Sequence, residues 1–189
     1  RQRQMCIRDS NNAGLTNVLR VFGKGPAAAT LLCDLAKGVL AVVICRLVVT
    51  NGFGVTFFHD DKFIGYLAGF FVMLGHIFPV FYGFHGGKGV LIAATTLIAI
   101  DPLTCAFSVA VFAIVLAATK YVSVGSICAA IAYPVFTPIV QLFIIKGDGV
   151  LANTLMATAI GLLIIYMHRP NIKRLMNGTE NKFGSKKKA

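Results

Sequence analysis

The chain has 189 residues, 57% of them hydrophobic and 13% charged, and its mean hydropathy of +0.77 is too high for a soluble domain of this size to keep its surface wet. Lys and Arg number 18 against 7 Asp and Glu, a formal net charge of +11; in so apolar a chain that excess belongs in loops held at an anionic membrane face rather than in a nucleic-acid groove. The cysteines, Cys6, Cys33, Cys45, Cys105 and Cys128, lie far apart with no CxxC pair and no histidine at ligand spacing, so neither a disulfide framework nor a metal site is expected.

Residues 1–9, RQRQMCIRD, are polar and stop where a motif begins. They are read as a non-native segment, apart from a membrane domain over residues 10–183 and a basic tail over 184–189. A bilayer-spanning helix takes about 20 mainly apolar residues, and the stretches 26–50, 63–82, 102–119, 127–145 and 150–167 come close. A further stretch, 89–100, is short and ends at Asp101-Pro102, where proline cannot continue the hydrogen-bond ladder and the carboxylate wants water; a break between two helices is expected there. Six crossings put Arg20, Lys24, Lys88, Lys120, Arg169, Lys173, Arg174, Lys182, Lys186, Lys187 and Lys188 on one side, with Glu180 as its acid. Asp60, Asp61, Asp101 and Asp148 fall on the other side, with Lys62 and Lys146. That asymmetry is the positive-inside pattern. The expected fold is all-α, a polytopic transmembrane helix bundle with six spans and a cytoplasmic C-terminal tail.

Three polar, glycine-bearing clusters interrupt the apolar pattern on the cytoplasmic side, each just before a helix. They are residues 10–17 (SNNAGLTN) with Arg20, residues 83–89 (GFHGGKG), and residues 123–126 (SVGS), which open a helix at Ile127. Free amides and a positive dipole end make helix N-termini anion sites, and glycine lets the backbone approach closely. Three such ends on one face describe a phosphate pocket; each alone also reads as a tight turn with a lipid-facing cation. A nucleotide P-loop would need glycine at Tyr82 and Ser or Thr at Gly89, which excludes an ATPase of that kind. A fourth cluster, HRPNIKR at 168–174 with Gly178-Thr179-Glu180, reads on its own as a basic juxtamembrane anchor. His76 sits near the end of its helix, which Phe78-Pro79 terminates, and is either a packing histidine or part of the site. Asp34 and Lys37 are three apart in an apolar helix, so they can pair on one face. Two readings stay open for them: a structural pair, or Lys37 neutralising a substrate phosphate.

The motifs SNNAGLTNVLR with FGKG, GHIFPVFYGFHGGKGV, YVSVGSI and HRPNIKRLMNGTE, in this order and spacing, resemble those of the bacterial acyl-phosphate-dependent glycerol-3-phosphate acyltransferases. The resemblance runs from Ser10 to Phe183, and the family's further N-terminal helix would make seven spans where six are read here. It implies transfer of an acyl group from acyl phosphate to the sn-1 hydroxyl of glycerol 3-phosphate, giving lysophosphatidic acid and phosphate. The implied partners are those two substrates and membrane lipid, with no cofactor, no metal and no nucleic acid, at the cytoplasmic face of the bacterial inner membrane. By motif position it implies catalytic roles for Lys88, His76, Ser126 and Asn171. It implies substrate binding by Ser10, Asn12, Thr16, Asn17, Arg20, Gly86, Gly87, Ser123, Gly125, His168 and Glu180.

The residue inventory agrees with that chemistry. Acyltransferases with soluble donors commonly use His-x-x-x-x-Asp to deprotonate the acceptor alcohol, and no histidine here has that partner. An acyl phosphate is a mixed anhydride with a good leaving group, so the barrier can fall mainly by positioning two anions and stabilising developing charge. The expectation is that Lys88, Arg20 and the loop amides hold phosphates, that Asn17, Ser126 and Asn171 orient groups by hydrogen bonds, and that a substrate phosphate oxygen accepts the hydroxyl proton. The competing reading is a small membrane transporter of phosphorylated metabolites, which should carry polar groups near the bilayer midplane; beyond Asp34, Lys37 and Arg46, all on one helix, the spans offer little. A structural lipid-binding protein leaves the ordered motifs unexplained.

Overall fold

The computed structural model describes residues 18, 19, 22–60, 62–84 and 86–184. Among these no strand forms, apart from an isolated bridge between Phe57 and Asp60, and a helix stands in every stretch where the hydropathy called for one. In chain order they are α1 (Lys24–Arg46), continued by a π-helical segment Leu47–Gly52, then α2 (Lys62–Ile77), α3 (Val90–Ile100) and α4 (Pro102–Thr119). After these come α5 (Val122–Ile139), continued by the π-helical segment Val140–Ile145, then α6 (Val150–Met167) and the short α7 (Arg169–Met176). The helices Pro102–Thr119, Val122–Ile145 and Val150–Met167 are long and apolar enough to cross a bilayer, while Lys62–Ile77 and Val90–Ile100 are shorter apolar helices. Phe81 is 98% exposed and Phe143 and Leu151 are each 75% exposed, which suits hydrocarbon and not water. The chain is an all-α, polytopic membrane protein.

The helices fall into two compact units: Arg1–Val55 with Ile64–Ile100, and Thr56–Phe63 with Asp101–Ala189. In the first, backbones close up where side chains are missing. A Cβ on Gly38 of α1 would collide with the Thr95 side chain of α3, and one on Gly69 of α2 would stand 3.1 Å from Thr96. A Cβ on Gly65 would meet Ile100 at 3.0 Å and the Arg46 stem at 3.3 Å. Small residues four apart let helices approach in this way without lipid between them. The hydroxyls of Thr95 and Thr96 each donate to the Ile92 carbonyl at 2.9 Å, so they need no acceptor on a facing helix. Arg46 donates to the Ala99 carbonyl at 3.3 Å, a cation at the negative end of α3.

In the second unit α5 packs against both α4 and α6. Pro134 has no N–H, so the Ala130 carbonyl four residues earlier loses its helical donor. Gly161 of α6 lies against that oxygen, and a Cβ there would be 2.5 Å away. Pro138 opens the ladder a second time, and the chain passes into the π-helical segment within a few residues. The Thr137 hydroxyl is satisfied within its own helix by donating to the Tyr133 carbonyl at 2.9 Å.

The break at Asp101-Pro102 forms as read from the sequence, but the carboxylate does not take water. Asp101 is 1% exposed. One oxygen caps α4 by accepting the Thr104 amide at 3.1 Å, with Pro102 in the first turn; the other accepts from the Gln141 side chain at 3.3 Å. The Gln141 carbonyl oxygen accepts from Asn153 Nδ2 at 3.0 Å, and the same amide nitrogen donates to Asp60 Oδ2. A buried carboxylate is costly unless its lone pairs are met, and here two amide side chains replace the water.

Two substitutions test this packing by thermal midpoint in detergent. Asn153→Leu leaves Gln141 and Asp60 each short of a donor, and a buried unsatisfied group costs about 1–3 kcal/mol. Gly161→Val drives a side chain against a backbone oxygen, at about 1–3 kcal/mol or more. Both midpoints should fall; a wild-type midpoint for either contradicts the corresponding contact.

Candidate functional site

Each unit carries a polar cluster built from the sequence motifs. In the first unit α2 ends at Ile77, before Pro79, and the chain turns back on that end: the Gly86 amide donates to the Ile77 carbonyl at 3.0 Å and the Gly87 amide to the His76 carbonyl at 3.2 Å. Only glycine fits here. A Cβ on Gly86 would collide with the His76 carbonyl oxygen, and one on Gly87 with His76 Nε2. Lys88 follows, half-buried, and α3 starts two residues later at Val90. The reading that these loop amides hold phosphate is corrected for Gly86 and Gly87, because both N–H groups close the carbonyl end of α2. The first amides of α3, which follow Lys88 and have no acceptor within their own helix, are the N–H groups here that suit an anion.

His76 is 15% exposed at its side chain, and its Nδ1 lies 3.3 Å from Lys37 Nζ. Lys37 in turn lies 2.9 Å from Asp34 Oδ1, the pair expected from their spacing. That pair comes as a trio with a histidine 39 residues along the chain, which nothing in the sequence signals.

In the second unit α5 begins at Val122, earlier than Ile127, so Ser123, Gly125 and Ser126 occupy its first turns and not the loop before it. The correction has a cause: Tyr121 is extended and the Gly125 amide already donates to the Tyr121 carbonyl at 3.2 Å, closing the first turn. Ser126 donates its hydroxyl to the Val122 carbonyl at 2.9 Å, and a Cβ on Gly125 would stand 3.0 Å from the Phe112 ring. At the far end of α6, His168 Nδ1 bonds the Ile164 carbonyl at 2.8 Å, so the imidazole N–H donates there. In α7, Asn171 Nδ2 donates to Glu180 Oε1 at 2.8 Å and Arg174 Nε to Oε2 at 2.7 Å. The segment after α7 folds against the α4–α5 turn: the Phe183 amide donates to the Lys120 carbonyl at 2.7 Å, and the Lys182 ammonium sits 5.7 Å from the centre of the Tyr121 ring.

Ser123, His168 and Asn171 are buried, and Asn171 Oδ1 has no hydrogen-bond partner among the described residues. Burial pushes the Glu180 carboxyl up, but the hydrogen bonds from Asn171 and Arg174 and the Arg174 charge outweigh it and hold the group below the usual carboxylate range. The Ser123 hydroxyl, a further hydrogen-bond donor to the same carboxyl, adds to this. The cluster is rich in acceptors, which suits the hydroxyls of a polyol, beside helix-start amides that suit an anion. Ser10, Asn12, Thr16, Asn17 and Arg20 lie outside the described residues. Among the described residues no group of three or more His, Cys, Asp or Glu is placed to hold a metal.

Glu180→Ala should lower the thermal midpoint by an amount on the order of 1–3 kcal/mol, the worth of hydrogen bonds to a charged group. Because the folded-state value is depressed, that contribution is complete above the ordinary carboxylate value of 4.5 and is lost as pH falls through the folded value. The gap between wild type and Glu180→Ala should therefore stay constant at neutral pH and shrink only on acidification below that range. A gap that grows on acidification contradicts the charged clamp.

The chain was compared with known proteins. A family model described as "Glycerol-3-phosphate acyltransferase" matches residues 4–178. Among curated proteins, the glycerol-3-phosphate acyltransferase of Clostridioides difficile (strain 630) is 43% identical over 178 residues, covering 94% of this chain and 81% of the relative. That of Shouchella clausii (strain KSM-K16) is 41% identical over 180 residues, covering 94% and 81%. Among solved structures, the crystal structure of PlsY (YgiH), an integral membrane glycerol 3-phosphate acyltransferase, in its glycerol 3-phosphate form superposes with a TM-score of 0.76 at 36% identity, covering 95% of this chain and 82% of that one. Its lysophosphatidic acid form gives a TM-score of 0.74 at 36% identity, covering 92% and 81%. A match over nearly the whole chain, in sequence and in helix arrangement, places this protein in the glycerol-3-phosphate acyltransferase family.

Proposed function

We propose that the protein acylates the sn-1 hydroxyl of glycerol 3-phosphate with acyl phosphate as donor, forming lysophosphatidic acid and inorganic phosphate. The observation that carries this reading is the likeness to an integral membrane acyltransferase solved in glycerol 3-phosphate and lysophosphatidic acid forms. The same likeness favours the enzyme over the transporter reading. The donor assignment rests on the ordered motifs and on the lack of a His-x-x-x-x-Asp base.

In this reading the acceptor hydroxyl attacks the acyl carbonyl, the bond between the acyl carbon and the phosphate oxygen breaks, and the hydroxyl proton passes to a substrate phosphate oxygen. Lys88 at the start of α3 neutralises phosphate charge, with His76 beside it. In the second unit, Asn171 Oδ1, which has no partner among the described residues, receives a glycerol hydroxyl next to Ser123 and Glu180. Ser126 orients substrate through its oxygen lone pairs, since its proton is already given to Val122. His168 is fixed in direction by Ile164. Gly86 and Gly87 serve by their lack of side chains, and Gly125 by letting Phe112 close on α5. Arg20 with Ser10, Asn12, Thr16 and Asn17 completes the phosphate-binding set. The excess of Lys and Arg around both clusters supports placing them at the cytoplasmic face of the inner membrane.

Purified protein in lipid should release phosphate only when both acyl phosphate and glycerol 3-phosphate are present. Product formed from acyl-CoA and not from acyl phosphate overturns the donor assignment. Lys88→Ala should lower the rate on the order of a hundredfold to a thousandfold, the usual cost of losing one well-placed electrostatic donor; near-full activity of that variant in intact membranes refutes its role.

A further inference from the structure

The Asp34–Lys37–His76 trio lies wholly in the first unit, and the reading above uses His76 without its two companions. Lys37 Nζ stands 2.9 Å from Asp34 Oδ1 and 3.3 Å from His76 Nδ1, while Asp34 Oδ1 is 3.8 Å from that nitrogen. An ammonium has donors and no lone pair, so at the Lys37–His76 contact the lysine donates and Nδ1 accepts. A neutral imidazole that accepts at Nδ1 carries its proton on Nε2. Nε2 makes no hydrogen bond among the described residues, and it is the atom that a Cβ on Gly87 would strike. The ring therefore presents an N–H to the glycine loop, one residue before Lys88. Asp34 takes a second Lys37 donor and fixes where the ammonium points.

We infer that Asp34 and Lys37 are positioning residues that hold His76 as the Nε2–H tautomer, so that this N–H donates, beside Lys88, to the phosphoryl group of the acyl donor. The inference rests on the proposed acyl-phosphate reaction and assigns Lys37 a task other than binding the substrate phosphate. An orphan N–H facing a phosphoryl oxygen gains strength as leaving-group charge develops, whereas the other tautomer would turn a lone pair on the same oxygen and repel it. The pair thus acts through the histidine and touches no reacting atom.

The tautomer can be read directly. Histidine ring nitrogens labelled with 15N in the full chain, in lipid nanodiscs, report which nitrogen bears the proton, with His76→Gln assigning the signal. The wild-type spectrum should show Nε2–H, and the Nδ1–H form there overturns the inference without any variant having to fold. Lys37→Met should release the ring into a mixture of forms and lower kcat about tenfold with KM for glycerol 3-phosphate unchanged, about the worth of one hydrogen bond in the transition state. Lys37→Arg still donates and should keep both the Nε2–H form and most of kcat. A Lys37→Met protein with the wild-type tautomer, or with a raised KM and unchanged kcat, makes Lys37 a structural or phosphate-binding residue and sinks the proposal. The spectrum needs no substrate, so a protein with the expected tautomer that does not use acyl phosphate would refute the donor assignment alone.

Discussion

A helix that ends close to lipid leaves its last carbonyls without donors, and the surroundings supply none. At the end of α2 this demand is met by the amides of Gly86 and Gly87, and the rest of the first cluster follows from that closure. To reach those carbonyls the loop must lie against His76 so closely that any side chain at either glycine would strike the peptide or the ring. The return of the chain then sets Lys88 half-buried at the start of α3. One requirement of backbone chemistry thus brings together a cation, a helix start and an imidazole.

The second unit meets the same demand at opposite ends in different ways. At one end, where α4 and α6 begin and α5 finishes, Asp60, Asp101, Gln141 and Asn153 join in a chain of hydrogen bonds that leaves the carboxylates bonded and dry. At the other end, where α4 and α6 finish and α5 begins, Asn171 and Arg174 clamp Glu180, and Asn171 Oδ1 is left without a partner among the described residues. Both ends are buried and polar. Each end also leaves a buried amide oxygen without a partner among the described residues, Asn153 Oδ1 at the first and Asn171 Oδ1 at the second, and the second is the end that carries the ordered motifs.

The helices were legible because spanning segments must be long and apolar, and Asp101-Pro102 marked the split between α3 and α4 as a proline-bearing cap does. The Asp34–Lys37 pair was legible too, since residues three apart on a helix share a face. Illegible were the contacts made across the fold. Gln141 and Asn153 lie in apolar spans and find their partners 40 and 93 residues away. The start of α5 was misplaced because Ser123 and Gly125 are poor helix formers, and tertiary packing against Phe112 overrides that preference. Likewise the glycine loop read as an anion cradle, and its amides turned out to serve a helix end. The ordered motifs named the right family, since four motifs in fixed order and spacing are more specific than any one of them.

The contact between His76 and the loop depends on Gly87 having no side chain. Gly87→Ala adds one methyl group where Nε2 now stands, while Gly75→Ala, on the same helix as His76, adds it where nothing lies within 4 Å. The acylation rate of both variants, measured side by side in membranes, is the most direct test. If His76 acts as proposed, Gly87→Ala should lose on the order of a hundredfold, since a displacement of about 1 Å at a reacting site can cost that much, and Gly75→Ala should keep wild-type turnover. Equal, undiminished rates for the two would contradict it.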